Sequence, residues 1–134
     1  MKKILFAVAL ASLLTGCATD HGAYLPVNTT VNNVEDMAGF VLLNQALQDS
    51  VTCTGIQEMR QPDGRLQLQV NIRNRKDRRI QVQADCVFKD AQGFVVEETP
   101  FENVFLDPNA QEGIRFVSAN EKPLRYTIRI RPAW

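Results

Sequence analysis

Three runs of strict alternation constrain this chain more than any other feature. Leu66, Leu68, Val70 and Ile72 alternate with Gln67, Gln69, Asn71 and Arg73, the two-residue period of a strand with one buried face. Ile80, Val82, Ala84, Cys86 and Phe88 repeat the pattern against Arg79, Gln81, Gln83, Asp85 and Val87. Leu124, Tyr126, Ile128 and Ile130 repeat it again against Arg125, Thr127, Arg129 and Arg131. One-sided burial in three strands predicts antiparallel sheet, because parallel strands are covered on both faces and read as continuous apolar runs.

Turn chemistry supplies the punctuation. The Asp-Gly pair of "QPDGR" (61–65) predicts a two-residue hairpin turn at 63–64, "KDAQGF" (89–94) places Gly93 in a similar role, and "LDPNAQEG" (106–113) reads as a longer loop. Strands are expected near 51–60, 65–74, 79–89, 93–98, 101–106, 112–118 and 124–131. Seven short strands in one domain predict an all-β fold, an antiparallel, immunoglobulin-like two-sheet sandwich over residues 36–134. The apolar segment "MAGFVLLNQAL" (37–47) fits a first strand or a helical turn, and periodicity does not separate the two. A transmembrane barrel is disfavoured. It needs at least about eight strands of roughly 9–11 residues with aromatic girdles, whereas the chain has two tyrosines and one tryptophan. Trp134 is expected to cover a sandwich edge.

The first sixteen residues read as an export signal rather than as part of the fold. Lys2 and Lys3 precede an apolar run, Ile4 to Leu14, far shorter than the roughly 20 residues of a spanning helix. The run ends Leu14-Thr15-Gly16-Cys17, which resembles the bacterial lipobox. That resemblance implies cleavage before Cys17 and acylation of its thiol, so the mature protein is expected to be held on a membrane by lipid. Ala18 follows the cysteine and Asp20 comes only later. By resemblance to the enteric sorting rule, the expected address is the periplasmic face of the outer membrane.

Residues 17–35 are expected to form the lipidated N-terminus and a polar tether, with Gly22, Pro26 and the only histidine, His21. A lone tether histidine has no companions for metal binding or catalysis. Loss of Lys2 and Lys3 from the 15 basic residues leaves a mature balance of about −2 against 15 acidic ones. So even a charge suggests no nucleic-acid partner.

With Cys17 acylated, Cys53 and Cys86 remain, and an even pair outside the cytoplasm makes a disulfide the default. Register argues the other way. A turn at 63–64 sets Cys53 opposite Asn74, and a second hairpin near Lys76 sets Cys86 opposite Leu66. Eight residues of strand is roughly 27 Å, far beyond disulfide reach. Two buried thiols are favoured unless Gly55 lets the strand change sheets.

The densest charge lies in "RNRKDRR", where Arg73, Arg75, Lys76, Arg78 and Arg79 accompany one acid, Asp77. As a binding patch these cations fit anionic headgroups or peptidoglycan, with Arg125, Arg129 and Arg131 assisting if the strands are neighbours. As a solvated hairpin end they discourage edge-to-edge pairing, the reading favoured here. Glu97, Glu98 and Glu102 flank Pro100 at an expected strand switch, with no nucleophile beside them. Ser50 and Ser118 are the only serines beyond the signal, and there is no phosphate loop and no cluster of metal ligands. The expectation is therefore no enzyme, no metal and no cofactor.

The segments "LQVNIRN" (68–74) and "FKDAQGF" (88–94), within "VNNVEDMAGFVLLNQALQDS" through "LRYTIRIRP", resemble the YcfL-type small lipoproteins of Gram-negative bacteria, a domain of uncharacterised function. The similarity covers roughly residues 30–132. It implies an envelope lipoprotein with a sandwich domain. The expected function is a non-catalytic protein-binding or scaffolding module of the cell envelope. The alternative is direct binding of peptidoglycan or anionic lipid through the basic hairpin end.

Overall fold

In the computed structural model the described residues are Ala23, Val34 and 38–134. The expected signal, Cys17, His21 and almost all of the tether lie outside them, as do residues 36 and 37. The fold belongs to the unit Val31–Trp134.

Among the described residues the chain forms eight strands: β1 (Phe40–Leu42), β2 (Val51–Arg60), β3 (Leu66–Asn74), β4 (Ile80–Lys89), β5 (Val95–Glu98), β6 (Glu102–Leu106), β7 (Gln111–Val117) and β8 (Arg125–Pro132). All seven expected strands are present, with ends within two residues of their expected positions. The smaller sheet has the order β2-β3-β7, and the larger has β1-β8-β4-β5 with β6 also paired to β4. The expected immunoglobulin-like two-sheet sandwich is thus the observed architecture. It carries one parallel addition, β1 against β8, with Phe40 opposite Ile128. The ambiguous 37–47 segment takes both forms: β1 is followed by a single 3₁₀ turn, Gln45–Leu47, whose cap Asn44 accepts from the Ala46 N–H at 2.8 Å.

Alternation becomes burial as the sequence dictates. Leu68, Val70 and Ile72 of β3 and Val82, Ala84, Cys86 and Phe88 of β4 have no exposed surface. They meet Ile128 and Ile130 of β8 and Leu106 of β6 in one core. At about 25 cal/mol per Å² of apolar surface, each large side chain here stabilises the fold by roughly 1.5–3 kcal/mol.

The hairpins differ from expectation in one residue each, with large consequences for register. Gln61 and Arg65 close a three-residue loop, Pro62-Asp63-Gly64, in which only Gly64 has positive φ, at 88°. The 63–64 turn is therefore not formed: Asp63 is not left-handed, and the loop is a type I turn finished by a left-handed glycine. The Arg65 N–H and guanidinium hold the Asp63 carboxyl below its ordinary range. Asp90 and Phe94 close the β4–β5 loop in the same way, with Gly93 at φ 89°. A bulge at Thr54 shifts β2, so Cys53 lies opposite Ile72 and Val51 opposite Asn74.

The hairpin expected at Lys76 does not exist. β3 sits between β2 and β7 in one sheet, and β4 lies between β8 and the β5/β6 edge in the other. Side by side, the two apolar faces would point the same way and still need cover. Stacked across the inter-sheet gap, they cover each other. Cys53 and Cys86 accordingly belong to different sheets and are free thiols, Cys86 buried and Cys53 only half-buried.

Pro100 does not switch sheets either. β5 and β6 both pair antiparallel with β4, as one strand broken by an extra residue: Glu98 is opposite Val87 and Glu102 is opposite Ala84. Pro100 has no N–H for the ladder, and Thr99 bridges the break. Its N–H donates to the Cys86 carbonyl at 3.0 Å, and its hydroxyl accepts from the Cys86 N–H at 2.9 Å.

Candidate functional site

The basic stretch lies on the β3–β4 crossover, and one buried amide organises it. Asn74, with no exposed surface, donates through Nδ2 to the carbonyls of Arg78 (2.7 Å), Leu106 (3.1 Å) and Asp107 (3.0 Å). Its Oδ1 accepts from the Lys76 N–H at 2.9 Å. The crossover backbone is thereby fixed to the β6–β7 loop, and the cationic side chains project from a rigid base. Arg75 Nε donates to Thr52 Oγ1 at 3.2 Å. Arg79 pairs with Asp107 at 3.3 Å and lies over the Phe105 ring, 5.0 Å from its centroid. Among the described residues no carboxylate is within ion-pair distance of Arg73, Arg75, Lys76 or Arg78.

Arg78 and Arg79 also border a groove of about 440 Å³ at this end of the sandwich. Its apolar lining includes Leu47, Ile80, Val82 and Trp134. Leu47 is 2 % exposed and Val82 fully buried, whereas Trp134 is 84 % exposed. Trp134 thus does not cover a sandwich edge. It follows the end of β8 and stands as a wall of the groove, where it is left largely in solvent. The charged side chains of the lining are two arginines. Sequence reasoning missed this groove because it joins the 3₁₀ turn, the start of β4 and the residues after β8, which alternation cannot bring together.

The arginines of β8 do not join the crossover cations. β8 neighbours β4, with Arg129 opposite Asp85 and Arg131 opposite Gln83, and these pairs occupy the outward face of the larger sheet. Asp85 has no exposed surface; Arg129 donates to it through Nε at 2.9 Å and again through Nη2, and Nη2 also reaches Glu98. Hydrogen bonding to Asp85 holds the Arg129 guanidinium above its already high pKa. The break at Pro100 completes the cluster. The extra residue shifts the phase, so Glu98 and Phe101 both face outward. Phe101 then stacks under Arg131, 3.7 Å from guanidinium carbon to ring centroid, with Arg129 at 5.3 Å. The sequence signal was a proline inside an alternating strand, with the alternation resuming out of phase after it.

The three glutamates do not converge. Glu97 accepts from the Ala119 N–H, tying the larger sheet to the loop after β7; Glu98 binds Arg129; Glu102 is exposed. Burial pushes the Cys86 thiol far up from its usual value, with Asp85 and Glu97 adding to the effect. Burial, followed by a hydrogen bond to Glu58, pushes the Tyr126 phenol up to about 12. Both shifts favour the neutral form, the opposite of an activated nucleophile. Among the described residues no three His, Cys, Asp or Glu side chains are placed to hold a metal ion, and no helix is long and apolar enough to cross a membrane.

The far end of the larger sheet leaves three large apolar side chains exposed. Phe94 is 72 %, Val95 57 % and Leu124 58 % exposed. Val95 and Leu124 flank Lys89 on its two sides, Val95 as its ladder partner and Leu124 through an N–H to the Lys89 carbonyl at 2.9 Å.

The same fold occurs in solved proteins. The crystal structure of Campylobacter jejuni cj0090 matches with a TM-score of 0.59 at 13 % identity, covering 70 % of this chain and 97 % of that one. A DUF1425 family member from Shewanella sp. pv-4 matches with a TM-score of 0.58 at 18 % identity, covering 68 % and 85 %. No curated protein matches the chain significantly in sequence. Residues 39–132, spanning β2 to β8 in full and β1 with them, fit the sequence pattern of DUF1425, and the chain belongs to that family of proteins of unknown function.

Proposed function

We propose that the protein is a non-catalytic binding module of the cell envelope, anchored through lipid on Cys17 to the periplasmic face of the outer membrane, and that it engages another envelope protein. The lipobox and the YcfL-type resemblance support the address. The observation that carries the binding mode is the exposure of Phe94, Val95 and Leu124 at the end of the larger sheet. Large apolar side chains left in water favour association with a complementary surface. Anchoring confines the domain to a surface, so a modest interface suffices. Crosslinking in intact envelopes is expected to give a discrete adduct that Phe94→Asp abolishes while the variant remains folded. An adduct indifferent to Phe94, Val95 and Leu124 substitutions counts against this binding mode.

A second reading, direct binding of peptidoglycan or anionic lipid at the basic crossover, is favoured by one observation. Arg73, Arg75, Lys76 and Arg78 have no carboxylate within ion-pair distance among the described residues. Neutralising Arg75, Lys76, Arg78 and Arg79 together is then expected to abolish cosedimentation with peptidoglycan or anionic vesicles, and added salt to do the same. Unchanged cosedimentation removes this reading.

A further inference from the structure

We propose that the groove bordered by Arg78 and Arg79 binds an anionic single-chain amphiphile, its hydrocarbon on Ala46, Ile80, Ala133 and Trp134 and its head group on the two guanidinium groups. The proposal deepens the second reading and rests on it: the basic end binds an anion, and the groove specifies what kind.

Shape and chemistry agree. A volume of about 440 Å³ holds roughly fifteen groups the size of a water molecule at about 30 Å³ each, which fits a medium-length acyl chain and lies in the usual range for small-ligand sites. The lining presents apolar surface at Ala46 and Trp134, which are exposed, and at Ile80 and Ala133, which are half-buried, whereas Leu47 and Val82 have almost none of their own to offer. Trp134 is 84 % exposed, an indole with its outer surface uncovered. An occupant that bridges Ile80 and the indole removes both from water.

The charge is one-sided. The charged side chains of the lining are Arg78 and Arg79. The Arg78 backbone is held through its carbonyl by Asn74 Nδ2 at 2.7 Å, and the Arg79 guanidinium rests on Phe105 and Asp107. Guanidinium groups give charge-assisted hydrogen bonds to a carboxylate or phosphate. A glycan fits less well. The uncharged polar side chains lining the groove are Ser50 and Gln81, and Ser50 is only 8 % exposed.

The chain has one tryptophan, so its fluorescence reports this groove alone. The mature chain from residue 17, made without acylation, is titrated with decanoate below its micelle concentration. Decyl maltoside is the uncharged control and a soluble muropeptide the glycan control. A saturable blue shift of Trp134 emission is expected with decanoate, weakened at least about tenfold by the Arg78→Gln/Arg79→Gln pair or by high salt. Ala46→Glu, at an exposed position that lines the groove, is expected to abolish the shift with an unchanged thermal melt. Three results overturn the proposal: no shift with decanoate, a shift indifferent to both arginines, or an equal shift with decyl maltoside. A shift with the muropeptide alone overturns it and leaves the second reading standing. Neutralising Arg73, Arg75 and Lys76 separates the two. Loss of peptidoglycan or vesicle binding with decanoate binding intact supports the groove as a site in its own right; loss of both removes it.

Discussion

Asp85 and Arg129 face each other across the β4–β8 ladder, and the carboxylate, although on the outward face of its sheet, has no exposed surface. Arg129 covers it, its own side chain 15 % exposed. A buried pair of this kind is expensive to break from one side, because the remaining charge is left without compensation. Arg129→Ala is expected to lower unfolding free energy by about 3–5 kcal/mol, and Asp85→Leu/Arg129→Met to recover most of that. Urea denaturation checks both. A loss below about 0.5 kcal/mol, the ordinary surface value, would contradict the assignment.

Thr99 supplies the acceptor for the Cys86 N–H beside Pro100, which has no N–H of its own for the ladder. Thr99→Val keeps the shape, removes the hydroxyl and leaves the Cys86 N–H without its partner. The expected loss is about 1–3 kcal/mol, with Thr99→Ser close to the parent. Equal melts for Val and Ser would show that the hydroxyl is not needed at the break.

Tyr126 supplies a pH dependence whose sign is fixed. Its phenol is raised from 10.0 to about 12, by burial first and by Glu58 second. The folded state therefore holds the proton more tightly. The associated stability is fully present below pH 10 and is lost as the pH rises through about 12. Phenolate absorbance should show one of the two tyrosines titrating near 12, and Tyr126→Phe should remove that step. Complete phenolate formation at the ordinary value would be inconsistent with the burial described.

The two thiols should differ. Native protein is expected to contain no Cys53–Cys86 bond, by intact mass, and Cys86 should resist maleimide at pH 8 until the protein is unfolded, since burial keeps it protonated. Half-buried Cys53 is expected to react first. A mass lower by two hydrogens, or equal labelling of both cysteines in the native state, would refute the pairing of sheets around them.

Strand positions were legible from residues 51 to 132 because each strand buries one face, and a two-residue period survives in sequence. Sheet membership was not. Leu68, Val70 and Ile72 look the same whether Val82, Ala84 and Cys86 lie beside them or across the core from them, so a crossover was read as a hairpin. Single-residue irregularities were equally hidden. Thr54 and Thr99–Pro100 each add a residue that alternation cannot date, and the second of these is what brings Phe101 under Arg131. The basic residues were visible, but their surroundings were not. Asn74 reads as one polar residue among many, yet it holds the crossover, and Trp134 lies beyond the last alternation.

The most direct test of the account is a photo-crosslinking residue placed at position 94 in the full lipidated protein, compared with one at exposed Glu112 on β7. The account predicts a discrete protein adduct from position 94, none from 112, and its disappearance when Leu124→Asp is added. Identical patterns from the two positions, or no adduct from position 94 in intact envelopes, would contradict the claim that this domain works by docking a partner on its apolar end.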